Sequence, residues 1–286
     1  ARLALYGVLI NCVLATVKIV SGMVGHSYAL IADGIESTLD IFSSLVIWGG
    51  LTLAARPPDV THPYGHGKAE PLAAIAVSLL IVIAALGLAA ESVHEILVPH
   101  HAPAPFTLVV LVVVVLIKEW LFRRVAKASE KAGSAAMKAD AWHHRADAIT
   151  SIAAFIGISI AIIGGAGYEP ADDWAALFAC CLIGFNGLAL LRPAIDEIMD
   201  IAPPVELAQS IREVAAKVPG VVELEQCRMR KMGLEYYVDI HVEVDASLTV
   251  REGHEIAHAV KDAIRTANPA VADVLVHVEP ADQPGG

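Results

Sequence analysis

The chain has 286 residues, of which 56% are hydrophobic, and it carries a formal net charge of −11. This composition is too apolar for a single soluble domain and predicts a membrane protein with several spans, while the acidic balance argues against nucleic acid as a partner. The four cysteines form no CxxC pair, so no disulfide framework is expected. The chain starts at Ala1 without an initiating Met or a signal-peptide pattern, and we expect its natural N-terminus to lie further upstream.

Six hydrophobic segments follow one another, each about long enough to cross the roughly 30 Å hydrocarbon core of a bilayer. They cover residues 3–24, 28–54, 70–97, 104–126, 139–164 and 172–195. Among the connections, only alternate ones carry Lys or Arg: the one with Arg56 and Lys68, and the one between residues 123 and 138. By the positive-inside rule these connections are cytoplasmic, so both chain ends are expected in the cytoplasm.

From Pro203 onward the composition becomes that of a soluble domain. Helical periodicity covers residues 205–217 and 249–267, and strand patterns cover 221–231, 235–245 and 271–278. The order αββαβ predicts a small α+β domain with its helices on one face of a sheet. We therefore expect a transmembrane domain over residues 1–200 and a cytoplasmic domain over 201–286. A domain of about eighty residues is marginally stable alone, which favours dimerisation through it.

Three carboxylates interrupt the second segment. Asp33, Glu36 and Asp40 are spaced by three and four residues, so they lie along one stripe of a helix. Carboxylates at bilayer depth are costly and usually face a protein interior or a water-filled cavity, which indicates a cation site. The alternative is that they pair with buried Lys or Arg. It is less favoured because no basic residue lies within this segment.

The fifth segment opens with a second polar pair, His143 and Asp147, again four residues apart. Pairs at this spacing on two helices are one way in which bundle interiors build metal sites. One imidazole and three carboxylates suit Zn(II), and also Fe(II), Mn(II), Co(II) or Ni(II). An ordinary imidazole has a pKa of about 6.5, so His143 is expected to couple metal binding to proton transfer.

The connection between the second and third segments carries a further candidate site. Asp59, His62 and His66 could close on one ion, and two glycines, Gly65 and Gly67, would let the loop bend. The alternative is a polar loop whose histidines are merely solvated.

Taken together, these motifs resemble the cation diffusion facilitator family, in particular its bacterial zinc and iron efflux members. The resemblance rests on the ALIADxxxSxxD pattern of the second segment, the HPYGHGKAE loop, the HxxxD of the fifth segment and the C-terminal domain. It implies a homodimeric, proton-coupled exporter of divalent metal ions, zinc foremost, in a bacterial inner membrane. The metal would be cargo, and no cofactor or enzymatic activity is expected.

Residue by residue, the resemblance implies a transport site of Glu36, Asp40, His143 and Asp147 and a loop site of Asp59, His62 and His66. The first transport ligand is usually Asp or His in zinc members of the family, and here it is Glu36. That departure puts strict zinc selectivity in question. Asp33 also belongs to the family pattern, and we interpret it as a carboxylate that either supports the metal ligands or packs helices together, and not as a ligand itself.

A third, cytoplasmic site is implied by the same resemblance. Its candidate ligands are His241, His277, Glu279, Glu225 and His254. His241 and His277 lie on predicted strands, and His254 could reach across a dimer. His254 and His258 are four residues apart, which an exposed helix face would explain equally well.

Functions of other classes fit less well. A metallohydrolase needs an open coordination position and a base beside it, and four protein ligands leave none. A channel would tend to use rings of weaker ligands. The remaining alternative is a membrane-anchored metal sensor without transport, which would not need carboxylates inside its spans. A final expectation is that Lys68 and Asp200 pair at the cytoplasmic ends of the third and sixth segments.

Overall fold

The computed structural model describes residues 2–98, 103–132, 135–165, 167–233 and 235–281, and for 2–8, 125, 128–132 and 135–146 it describes the backbone alone. The elements are α1 (Arg2–Val24), α2 (Tyr28–Ala54), α3 (Ala69–Leu97), α4 (Phe106–Ala132), α5 (Ala135–Gly164), α6 (Ala171–Ile198), α7 (Val205–Ala216), β1 (Glu223–Met232), β2 (Glu235–Val244), α8 (Val250–Ala267) and β3 (Val271–Pro280). Their order confirms the six long helices and the αββαβ domain predicted from the sequence.

The chain forms two compact units. The first contains Ala1–Val46 and Ala76–Leu191, and the second contains Ile47–Ile75 and Arg192–Gly286.

The first unit is a helical bundle. α4 packs along α5 and also contacts α1. Leu30 of α2, Leu111 of α4 and Ile158 of α5 are fully buried between the helices. Large apolar side chains such as Ile83 and Leu116 point outward, as expected where lipid replaces water. Within the described residues, α3, α6 and the Asp147–Gly164 part of α5 are long and apolar enough to cross a membrane.

The N-terminus of α2 is held by a carboxylate from α6. Asp172 accepts hydrogen bonds from the Ser27 hydroxyl at 2.9 Å and from the Tyr28 backbone N–H at 2.7 Å. The Ser27 hydroxyl in turn accepts from the Leu30 N–H at 3.2 Å. These bonds satisfy amide groups that the first turn of a helix leaves without intrahelical partners, and an anion at this end also complements the helix dipole.

The second unit contains a three-stranded sheet of order β1-β2-β3, with β1 and β2 antiparallel and β2 and β3 parallel. α8 makes the crossover between the parallel strands. Ile211 of α7 and Ile264 of α8 both bury against one face of β2, where Ile240 is also fully buried. Both helices therefore cover the same face of the sheet, as predicted. The period of two along a strand leaves the opposite face to polar side chains such as His241.

Candidate metal sites

The residues of the predicted transport site lie in the first unit. Glu36 and Asp40 are four residues apart on α2, and both are partly buried. The charges of Asp40 and Asp147 both act on Glu36, so α2 and α5 bring their carboxylates into one region. Among the residues described, however, Glu36, Asp40 and Asp147 do not gather their ligand atoms within 4.8 Å of one another. His143 lies on α5 one turn before Asp147, and its side chain is outside the described residues.

Two of the intramembrane carboxylates form buried ion pairs. Lys18 Nζ lies 2.9 Å from Asp33 Oδ2, and Lys118 Nζ lies 2.5 Å from Asp147 Oδ2. The ion-pair alternative, which the sequence made less favoured for the second segment, therefore applies to Asp33, and Asp147 of α5 is paired in the same way. The sequence argument failed because each cation comes from another helix, α1 or α4, and not from the segment that carries the carboxylate.

The pair formed by Asp33 is part of a larger polar network. The Ser151 hydroxyl of α5 donates to Asp33 at 2.8 Å, and Lys18 also donates to the Ser37 hydroxyl at 3.1 Å. Asp33, Lys18, Ser37 and Ser151 are all buried. Asp33 thus joins α1, α2 and α5, which agrees with its interpretation as a packing carboxylate.

The loop site lies in the second unit, on the connection between α2 and α3. Asp59 Oδ2 lies 3.4 Å from His66 Nε2, and Asp59 Oδ1 lies 3.2 Å from His62 Nδ1. The two imidazole rings are 4.4 Å apart between centroids. One ligand atom from each residue falls within 4.8 Å of the others, so the three side chains are arranged to hold a metal ion. Gly65, with φ of +81°, provides the bend between the two histidines.

Local hydrogen bonds fix the charge and position of Asp59. Its Oδ1 accepts from the Thr61 hydroxyl at 2.8 Å, from the His62 N–H at 2.7 Å and from the Thr61 N–H at 2.8 Å. These bonds, led by the one from the Thr61 hydroxyl, lower the pKa of Asp59 to about 2. The carboxylate is therefore ionised at any physiological pH, as a metal ligand must be.

The loop contacts the hairpin between β1 and β2. A side-chain carbon on Gly67 would collide with the backbone of Met232, so only glycine allows this approach. The Tyr64 ring meets Tyr237 edge to face at 6.2 Å, and the Arg230 guanidinium lies 5.6 Å from the centre of the Tyr64 ring. A cavity of about 420 Å³ beside these contacts is lined by residues that include His66, Met232 and Tyr237.

Two further ion pairs in the second unit involve the ends of the long helices. Lys68 Nζ lies 2.6 Å from Asp200 Oδ1, which is the pairing expected from the sequence. Lys231 of β1 lies 2.8 Å from Glu197 Oε2 of α6. Because Lys68 also donates to the Glu197 carbonyl at 2.9 Å, the start of α3, the end of α6 and β1 share one polar cluster.

The third cluster lies on the polar face of the sheet. His241 and His277 are register partners on parallel strands, with ring centroids 4.9 Å apart. Glu279 Oε1 lies 2.8 Å from His241 Nδ1 and 3.3 Å from His277 Nε2. These three side chains also place one ligand atom each within 4.8 Å of the others.

A fourth carboxylate stands beside this cluster. Glu225 lies where β1 shifts register between Leu224 and Cys227, and its Oε2 is 3.6 Å from His241 Nδ1. A hydrogen bond with Glu279 raises the pKa of Glu225 and lowers the pKa of Glu279. Two carboxyl groups that share a proton are a place where a divalent cation can replace that proton.

His254 is not brought to this cluster by its own chain. It is exposed on α8, which covers the other face of the sheet, and its ring lies 4.5 Å from that of His258. A role for His254 across a dimer stays a prediction.

Sequence reasoning missed two residues, Lys18 and Lys118. Both are fully or almost fully buried, at 0% and 1% exposure. The sequence did indicate that these lysines form ion pairs, since a single Lys inside an apolar segment is rare unless it pairs with an anion. Its partner could not be assigned without knowing which helices pack together.

The first unit contains helices that can cross a membrane, with carboxylates buried among them. The second unit contains two His–carboxylate clusters. Together these features define a multi-pass membrane protein that binds metal cations. Residues 4–199 match the cation efflux transmembrane domain and residues 203–281 match the cation efflux protein cytoplasmic domain. The chain therefore belongs to the cation efflux, or cation diffusion facilitator, family of metal transporters.

Similar proteins include MneP of Bacillus subtilis, a manganese efflux system protein, which is 31% identical over 98% of this chain and 95% of its own length. The magnetosome protein MamB of Magnetospirillum gryphiswaldense is 30% identical over 92% of this chain and 88% of its own length. A solved structure of a MamM CTD variant in a nickel form is 28% identical over 28% of this chain and 100% of its own, with a TM-score of 0.27.

Proposed function

We propose that this chain is a proton-coupled antiporter that exports a divalent transition metal from the cytoplasm by alternating access. The observation that supports the proposal is that Glu36 and Asp40 of α2 and Asp147 of α5 lie near enough within the helical unit for the charges of Asp40 and Asp147 to act on Glu36. His143, one turn before Asp147, would complete the set with an imidazole. Metal binding requires ionised carboxylates and a neutral imidazole, so protons arriving from outside would release the metal.

The metal is a separate part of the proposal. Zinc was the first expectation from the sequence. A set with three carboxylates and one imidazole also suits manganese, for which oxygen ligands are preferred. Two similar proteins, MneP and MneS of Bacillus subtilis, are named manganese efflux system proteins. We therefore propose zinc and manganese as the two metals to be compared first.

The arrangement in the membrane follows the sequence predictions. We propose a homodimer in a bacterial inner membrane, with both termini cytoplasmic and with the division near residues 200 and 201. The match of residues 203–281 to the family's cytoplasmic domain supports the placement of the His241 cluster on the cytoplasmic side.

Metal flux into proteoliposomes under an imposed pH gradient tests the function. The wild type is expected to move zinc or manganese, and Asp40→Ala is expected to abolish that movement. Glu119→Gln is the matched control, because Glu119 pairs with exposed Arg123 at 2.7 Å and is a carboxylate outside the proposed site. Glu36→Asp should change the preference between the two metals. Metal binding without any gradient-driven flux would contradict export and favour the metal sensor.

A further inference from the structure

Lys118 of α4 is almost completely buried beside a proposed transport ligand. It is 1% exposed, and its Nζ lies 2.5 Å from Asp147 Oδ2 and 3.0 Å from Asn11 Oδ1. One ammonium group thus connects α1, α4 and α5 at the carboxylate of Asp147.

The Lys118 ammonium group and a metal ion would compete for the Asp147 carboxylate. A buried ammonium group needs an anion or hydrogen-bond acceptors such as the Asn11 amide oxygen to compensate its charge, and removing its carboxylate partner is destabilising. A metal ion bound to Asp147 would be attracted by the same carboxylate charge. The positive charge of the metal would also repel an ammonium group held 2.5 Å from Asp147 Oδ2.

We propose that Lys118 is a tethered cation that occupies the Asp147 carboxylate in the metal-free protein and moves away from it when metal binds. This inference rests on the proposed transport function. In it, Lys118 is a positioning residue that competes with the cargo and does not coordinate it.

Such a competitor would have two effects on a transporter. It lowers the affinity for metal, because each metal ion has to displace the ammonium. It also aids release, because the returning ammonium compensates Asp147 once the metal has left. A site without Lys118 should therefore bind metal more tightly and release it more slowly.

The pair between Lys18 and Asp33 shows what a fixed buried pair looks like in the same unit. There the carboxylate also accepts from Ser151, the ammonium also donates to Ser37, and Asp33 is not a proposed ligand. Lys118 differs because its carboxylate partner is a proposed ligand of the cargo.

The test measures KM and Vmax for zinc and manganese in proteoliposomes containing the full chain. Lys118→Gln is expected to lower KM by about tenfold, which corresponds to ~1.4 kcal/mol, and to lower Vmax. Lys118→Arg is expected to raise KM, because a guanidinium can bond a carboxylate through two N–H groups and competes more strongly. Arg123→Gln removes an exposed positive charge from the same helix and should leave both constants unchanged.

The outcomes separate this inference from the proposed function. An active wild type in which Lys118→Gln raises KM would overturn the inference and leave export intact, because Lys118 would then support metal binding. If Lys118→Gln does not fold, Lys118→Arg decides, and a KM equal to or below that of the wild type overturns the inference. A wild type without Asp40-dependent flux or binding would overturn both.

Discussion

Lys68 Nζ lies 2.6 Å from Asp200 Oδ1, and this ion pair joins the residue just before α3 to the turn just after α6. Neither side chain is buried, with 29% and 49% of the side chain exposed. Solvent screens a pair of this kind, and its contribution to stability is only about 0–1 kcal/mol. Any larger effect on transport would come from the position of the helix ends.

The first prediction concerns this pair. Lys68→Asp and Asp200→Lys each place like charges together, and each is expected to lower metal flux while changing the melting temperature little. The double exchange restores opposite charges and should recover a large part of the flux. Flux measured in proteoliposomes for the four proteins checks this. A double exchange no better than either single change would show that the pair has no role in transport.

The second prediction concerns the buried pair of Lys18 and Asp33. Lys18→Met leaves the Asp33 charge uncompensated and should destabilise the protein by about 3–5 kcal/mol. The double change of Lys18→Met with Asp33→Leu replaces the pair by apolar groups and should recover most of that loss. Thermal unfolding in detergent measures both. Equal losses in the single and double variants would contradict the pair's role in packing.

The third prediction uses the charge of Asp59. Its pKa is lowered to about 2, from an ordinary value near 3.9, chiefly by the hydrogen bond from the Thr61 hydroxyl. A lowered pKa stabilises the folded loop above about pH 4, and this contribution is lost as the pH falls toward 2. Protonation of Asp59 should therefore not weaken metal binding by the loop between pH 7 and 5, and titration of the protein with zinc across that range measures this.

Two variants separate the ligand role of Asp59 from its role in the turn. Asp59→Asn can keep the hydrogen bonds to Thr61 and His62 and should lose metal at pH 7. Asp59→Ala should lose metal and also speed hydrogen exchange at those two amides. Retention of loop metal in Asp59→Asn would contradict a role of the carboxylate as ligand.

The fourth prediction concerns Glu225 beside Glu279. The hydrogen bond with Glu279 raises the pKa of Glu225, so the contribution of this bond to stability is present at low pH and is lost as the pH rises and Glu225 ionises. Glu225→Gln should therefore raise the melting temperature of the metal-free protein at pH 7. The same change should weaken metal binding at His241 and His277 by about tenfold or more.

The control for this prediction is Glu223→Gln, which removes an exposed carboxylate from the same strand outside the cluster. Melting temperatures with and without zinc distinguish the two variants. If Glu225→Gln lowered the melting temperature without metal, the two carboxylates would not be competing for one proton.

Much of this structure could be predicted from sequence periodicity. Alternation along β2 placed His241 on the face opposite Ile240, and the structure agrees. The loop residues Asp59, His62 and His66 are close in sequence, so their meeting depended on a short turn. The partners of Lys18 and Lys118 depended on how four helices pack, and periodicity along one helix cannot give that. His254 shows the same limit, because α8 carries it to the other side of the sheet from His241.

The bonds from Asp172 to Ser27 and Tyr28 have a mechanical consequence for the alternating access that we propose. They fasten the first turn of α2 to the first turn of α6, so these two ends cannot slide past each other without breaking a buried carboxylate contact. A helix that is held at one end can still tilt about that end. Movement of Glu36 and Asp40 would therefore grow with distance from Tyr28, and the largest displacement within α2 would occur at its other end, near Ala54.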